Sequence, residues 1–200
     1  MVVSPYSDIP QEKWMTVTTN LIEEFPLSMD YLVSVVLESW DSIFETKIGK
    51  EQIMIGKDIF PKPQIMGFLL HELIPITISK TNKDWHVDRK TSDKDLVYVP
   101  DPSYSVEIKT SSNSKKIFGN RSYAQDASSS KKDKSGYYLA INFEKFNGRT
   151  KPRIILIRFG WIDHQDWIGQ KAQSGQQSHL SPAVEKNKLM TIYEIGQTHL

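Results

Sequence analysis

The apolar residues change period part-way along the chain, and that change constrains its fold more than any other feature. Over 29–45 they fall at positions 29, 32, 33, 36, 37, 40, 43 and 44, the stripe of an amphipathic helix. Ser28 reads as its N-cap, with Asp30 in the first turn. Lys47-Ile48-Gly49-Lys50 reads as its end, with Gly49 just past the last turn. Upstream, Trp14, Val17, Leu21, Ile22 and Phe25 predict a shorter helix within 11–25, broken by Pro26. Downstream, Pro61 and Pro63 open a helix over about 63–73. From residue 74 the period becomes two. Ile74-Pro75-Ile76-Thr77-Ile78-Ser79 and the runs 95–99, 104–109, 137–143 and 153–159 read as strands. Pro100-Asp101-Pro102-Ser103 and Asn147-Gly148 supply turns. With 200 residues, no internal repeat and no linker, the expectation is one α/β domain. Its parts are a helical N-terminal region 1–60, a core 61–160 and a C-terminal extension 161–200. The extension holds a Gly/Gln/Ser loop at 169–178 and a short last element near 183–195.

The formal net charge is +1, which conceals an uneven distribution. Residues 1–60 carry ten acids and four bases, or −6, whereas 61–200 carry +7. A basic segment, 110–134, holds Lys115, Lys116, Arg121, Lys131, Lys132 and Lys134. Such asymmetry points to an anionic partner for one face. The absence of cysteine removes disulfides, thiolate zinc sites and thiol catalysis. The first ten residues lack the basic and apolar regions of a signal peptide. The longest apolar stretch, 65–78, is interrupted by His71, Glu72 and Pro75 and is too short to span a bilayer. A soluble cytoplasmic protein with no membrane partner is expected. No phosphate-cradling glycine loop is present, so no nucleotide cofactor is expected. The five histidines show no paired helical metal spacing.

Asp95, Glu107 and Lys109 form the constellation that could do chemistry. If 95–99 and 104–109 form a hairpin whose turn centres on Pro102, Asp95 lies opposite Lys109 and Glu107 opposite Val97. Alternation then gathers Asp95, Glu107 and Lys109 on one face, with Ile108 on the other. Two carboxylates suit a hard divalent cation such as Mg²⁺. The lysine ammonium suits the charge that builds on a phosphate under attack. On the preceding helix, Glu72 lies about 20° from Ile65 on the helical wheel, at the edge of the apolar face. It could snorkel to solvent or point inward as an outer ligand. Two acids and a lysine on a hairpin can equally be a solvated face with weak ion pairs.

A helix bearing Glu72, then Asp95, then Glu107-Ile108-Lys109 resembles the PD-(D/E)xK nuclease core. Three longer stretches resemble type II restriction endonucleases, most of all the ScaI-like group. They are Ser105-Val106-Glu107-Ile108-Lys109-Thr110-Ser111-Ser112, Ile117-Phe118-Gly119-Asn120-Arg121-Ser122-Tyr123-Ala124-Gln125, and the run from Phe159-Gly160-Trp161-Ile162-Asp163-His164 to Gln170. The resemblance implies a restriction-endonuclease-like α/β core, a central mixed β-sheet flanked by α-helices. It also implies Mg²⁺-dependent, site-specific cleavage of double-stranded DNA at a short palindromic site by a bacterial or archaeal homodimer. Metal roles fall to Asp95, Glu107, the Ile108 carbonyl and, more loosely, Glu72; the catalytic lysine role falls to Lys109. The literal Pro-Asp of the chain, Pro100-Asp101, belongs to the turn, so Asp95 is preferred, with Asp93 in reserve should the register slip. Phosphate contacts are expected from Lys115, Lys116, Arg121 and Lys171. Base contacts are expected from Asn120, Arg121, Gln125, Gln170 and Gln173. Other readings are a repair or junction nuclease of the same fold, a non-catalytic DNA-binding protein, and an interaction domain with a merely solvated hairpin.

Overall fold

The computed structural model describes residues 3–90, 92–124, 134–170 and 177–196. A 3-10 turn, Gln11–Lys13, leads into α1 (Trp14–Glu23), and α2 spans Met29–Glu45. Ser28 caps α2 by accepting the Tyr31 N–H at 3.3 Å. The stripe is buried as expected at Leu32, Val36, Trp40 and Ile43. The chain does not end this helix with Gly49. Thr46 is already extended, and Gly49 (φ +67°) sits in the turn of a small hairpin, β1 (Lys47–Ile48) and β2 (Ile53–Met54).

The run 74–79 is not a strand. One helix, α3, runs from Pro63 to Thr81 and carries Pro75 inside it. Met66, Leu70, Ile74 and Ile78 are four apart and form one buried stripe, while Ile76 is 37% exposed. Isoleucines at 74 and 78 satisfy both a period of two and a helical spacing; burial of the whole stripe favours the helix. Pro75 has no N–H to give the His71 carbonyl, and packing of this buried turn offsets that loss.

The strands that follow are β3 (Trp85–Val87), β4 (Leu96–Tyr98), β5 (Val106–Ser111), β6 (Phe118–Asn120), β7 (Gly136–Phe143), β8 (Ile154–Ile162), β9 (Trp167–Gly169) and β10 (Gln177–Leu180). The chain then forms α4 (Pro182–Asn187) and β11 (Met190–Glu194). The central sheet has six strands in the order β11-β8-β7-β5-β4-β3. It is mixed: β5 and β7 are parallel and the other pairs antiparallel. The fold is thus α/β, with a mixed central sheet and flanking helices, consistent with a restriction-endonuclease-like core. A second sheet has the order β6-β10-β9.

Every residue of β7 is buried, as expected of a central strand covered on both faces. Its odd positions, with Val106, Ile108, Ile157 and Phe159, join the core built on α2 and α3. Its even positions Tyr138 and Ala140 join a second core with Trp167, Leu180, Val184 and Leu189. The two faces therefore carry different layers, helices on one and the small sheet with α4 on the other. Close approach is enforced on both. A Cβ on Gly160 would lie 2.0 Å from the Lys188 carbonyl oxygen, and one on Gly67 would lie 2.5 Å from Thr110 Oγ1. Gly67 thus lets α3 settle against β5. Among the described residues no helix is long and apolar enough to cross a membrane.

Candidate active site

β4 and β5 form the expected antiparallel pair, but the register is two residues from the expected one. Leu96 pairs with Val106, so continuing the register sets Asp95 opposite Glu107 rather than Lys109. The turn centres on Asp101, whose carboxylate accepts the Ser103 N–H at 2.9 Å and starts a 3-10 turn, Pro102–Tyr104. Asp101 is thereby spent on the turn. Asp93 caps its own loop, accepting the N–H groups of Arg89 and Lys90 at 3.1 Å each.

Asp95 lies where β4 begins. Its Oδ2 accepts the Ile108 N–H of β5 at 2.6 Å and stands 3.5 Å from His71 Nδ1 on α3. In an extended strand the N–H and C=O of one residue point to the same side. The Ile108 carbonyl therefore faces the same sheet edge as Asp95. Glu107 and Lys109 share the opposite face of β5 from Ile108, as alternation predicts. Lys109 Nζ donates to Glu107 Oε1 at 2.8 Å, and the Tyr123 hydroxyl donates to the same oxygen at 2.5 Å. The Tyr123 ring also lies under two ammonium groups, Lys109 at 4.8 Å and Lys134 at 4.5 Å.

Electrostatics hold this pair ionised. Burial raises the Glu107 carboxyl, but Lys109, the Tyr123 hydroxyl and Lys94 outweigh it and bring its pKa to about 2. Burial works against the Lys109 charge, yet Glu107 and Asp95 outweigh it and raise the lysine above its ordinary value. Burial and the Glu107 charge raise the Tyr123 phenol, which keeps its proton and donates it. Lys109 is therefore a cation at neutral pH and acts as a donor, not as a resting base. Glu107 has a folded pKa below its unfolded one, so its contribution to stability is present above about pH 4.5 and fades as pH falls toward about 2. Thermal melting in metal-free buffer should show a gap between wild type and Glu107→Gln near neutral pH that narrows steadily on acidification.

A cleft of about 950 Å³ opens beside Asp95. Its wall includes His71 and Glu72 from α3, Thr110 to Ser114 after the acid–lysine strand, Asn120, Lys145 and Gln177. Glu72 is exposed here and makes no hydrogen bond to the Asp95–Glu107–Lys109 group. The α3 residue beside Asp95 is its neighbour His71. Lys115 and Lys116 are exposed on the loop from β5 to β6, and both their N–H groups donate to Asn113 Oδ1. That loop is anchored from below, where Asn142 Nδ2 donates to the Asn113 and Lys116 carbonyls and Arg158 donates to the Lys115 carbonyl. Asn120, Arg121 and Gln170 are exposed. Gln125, Lys171 and Gln173 lie outside the described residues. The loop expected over 169–178 is bounded by strand instead, since Gln177 and Ser178 belong to β10.

Mg²⁺ takes oxygen ligands and keeps several waters, so one or two carboxylates usually suffice. Asp95, Glu107 and the edge-facing Ile108 carbonyl fit that donor set. Among the described residues no three His, Cys, Asp or Glu side chains stand close enough to hold a metal by themselves. Two residues of the site were not assigned from the sequence. In the sequence His71 is one of five histidines without a helical metal spacing, and Tyr123 sits in a stretch expected to contact DNA. Their only sequence signal is position: one beside Glu72, the other in the segment that follows the acid–lysine strand.

A buried Glu107–Lys109 pair, with a half-buried Asp95 at a cleft beside a lysine-bearing loop, has the character of a nuclease site. Comparison gives the family. The ScaI restriction endonuclease model matches residues 4–193, and the chain belongs to that family. The Type II restriction enzyme ScaI of Streptomyces caespitosus is 50% identical over 198 residues, covering 97% of this chain and 86% of that protein.

Proposed function

We propose that this protein is a Mg²⁺-dependent type II site-specific deoxyribonuclease of PD-(D/E)xK type, acting as a homodimer on a short palindromic site. One observation carries the reading: Asp95, Glu107 and Lys109 meet across the β4–β5 edge, with both carboxylates held in place. Family membership supports the same reaction class. Asp95, Glu107 and the Ile108 carbonyl would hold the cation, with Glu72 in reach of the cleft as an outer ligand. When bound, Mg²⁺ supplies positive charge to the scissile phosphate and acidifies a water. Lys109 donates toward the phosphate oxygen on which charge builds, and Tyr123 fixes the Glu107 carboxylate. Water oxygen bonds to phosphorus, the phosphorus–oxygen bond to the leaving sugar breaks, the water proton leaves to solvent, and the departing sugar oxygen takes a proton from solvent to become a hydroxyl. Twofold symmetry of the dimer would match that of the site.

Digestion of phage DNA by the purified protein with Mg²⁺, followed by sequencing of the ends, tests this. One shared sequence at every end supports it. Dispersed ends favour a repair or junction nuclease, and binding without cleavage under any divalent ion favours a non-catalytic DNA-binding protein. Tyr123→Phe keeps the ring against Trp167 (centroids 5.0 Å apart) but removes the hydroxyl from Glu107. Such outer partners typically contribute about 10–100-fold in metal affinity. The variant should need more Mg²⁺ for half-maximal rate while retaining most of the rate at saturation.

A further inference from the structure

The small sheet β6-β10-β9 has an ordered outer face. Asn120 pairs with Gln177, and Phe118 with His179. On the other side of β10, His179 pairs with Ile168. Gln170 N donates to the Gln177 carbonyl at 3.2 Å and so continues the same register. Directly opposed residues share a face. One transverse row is therefore Asn120, Gln177 and Gln170, three carboxamides, and the next is Phe118, His179 and Ile168. Between them, Gly119, Ser178 and Gly169 point inward. A Cβ on Gly119 would lie 2.9 Å from the Tyr123 ring and 3.2 Å from Trp167, and one on Gly169 would lie 3.2 Å from the Ala124 Cβ.

The three carboxamide residues are exposed, and Ile168 is 45% exposed. Phe118, Asn120 and Gln177 line the same cleft as Asp95 and Glu72. A carboxamide offers a donor and an acceptor side by side, which matches the N6–H and N7 of adenine in the major groove, and apolar groups match the thymine methyl. The major groove admits a β-ribbon. The basic loop bearing Lys115 and Lys116 leads directly into β6 and supplies charge for the flanking phosphates.

We propose that this sheet face enters the major groove and reads A·T base pairs, with Gln177 and Asn120 as the specificity-determining pair and Gln170 as a third reader. This rests on the nuclease reading above. Asn120 and Gln177 are strand residues, Gln170 directly follows the last residue of β9, and Gln177 carries the centre of the row.

The experiment compares the full chain with Gln177→Ala and Asn120→Ala, all at exposed positions. The duplex used is the one the wild type itself cuts, against a scrambled duplex of the same length, bound without Mg²⁺. A good bidentate contact discriminates by about 5–150-fold. The ratio of the two affinities should fall by about that factor in each variant, through the cognate duplex alone. Sequenced ends from Mg²⁺ digests should then show other bases tolerated at defined A·T positions. Lys116→Ala is the contrast, weakening both duplexes alike and flattening the salt dependence. Unchanged affinity ratio and unchanged ends in Gln177→Ala overturn the assignment. So does lost cleavage with the affinity ratio intact. Failure of the nuclease reading looks different, because the wild type itself then yields no cleavage or no common end.

Discussion

Lys109→Ala should lower the rate of DNA cleavage by at least about 10²–10³-fold, the usual loss when one donor to a developing oxyanion is removed. The side chain is 14% exposed, and its ammonium is held by Glu107 at 2.8 Å and remains charged at neutral pH because two carboxylates face it. Alanine leaves the Tyr123 hydroxyl on Glu107, so metal affinity should change less than the rate. Binding of the cognate duplex should survive, since the proposed phosphate contacts lie on the loops and not on Lys109. Single-turnover cleavage at saturating Mg²⁺, alongside a binding titration, checks both halves. Equal rates for wild type and Lys109→Ala would refute the catalytic assignment. A return of specific cleavage in Lys109→Arg is not expected, because the guanidinium is broader and its fork cannot occupy the same point beside Tyr123.

The largest effect on stability should come from Lys188→Met. Lys188 is 2% exposed and ends α4. Its ammonium donates to Asp163 Oδ2 at 2.8 Å and to both Asp166 oxygens at 2.8 and 3.0 Å. Above it lie the rings of Tyr6 at 4.3 Å and Trp14 at 4.5 Å. Methionine retains the volume and the aromatic contacts but leaves two acids buried without their cation. Breaking such a pair costs about 3–5 kcal/mol. Burial, only partly offset by Lys188, already holds the Asp166 carboxyl above its ordinary range. A carboxyl with a raised folded pKa favours the folded state at low pH and disfavours it once ionised. The deficit of Lys188→Met should therefore shrink as pH is lowered from neutrality, and urea melts at several pH values measure it. A deficit that grew on acidification would contradict the role given to the lysine.

Local chemistry was legible where one element decided its own fate. The α2 stripe and its Ser28 cap need no tertiary information, and 29–45 folds as written. The Glu107-Ile108-Lys109 alternation likewise sets which side chains face which layer. What depended on partners was not legible. Ile74, Ile76 and Ile78 fit two periods, and the choice lay with the sheet that buries only two of them. The β4–β5 register turned on whether the turn centred on Asp101 or Pro102, which the Asp101 cap decides. His71 reaches Asp95 only because Gly67, one turn earlier, lets α3 lie against Thr110. The polar run around 169–178 concealed strand residues because Gln and Ser have weak strand preference, and β10 forms between two ready neighbours.

The single parallel pair in the central sheet, β5 with β7, has a consequence for how such an enzyme can diversify. Parallel neighbours cannot be joined by a tight turn, so the chain leaves the acid–lysine strand, runs out through β6, and returns to pair beside it. The proposed reading row is therefore carried partly on a detour whose two ends are fixed by the β5–β7 ladder. Residues on the detour other than Tyr123, whose hydroxyl holds Glu107, can be exchanged without sliding Glu107 past Tyr138. A new target sequence could then be acquired without rebuilding the metal site, and the catalytic strand would act as a fixed hinge-post for variable recognition.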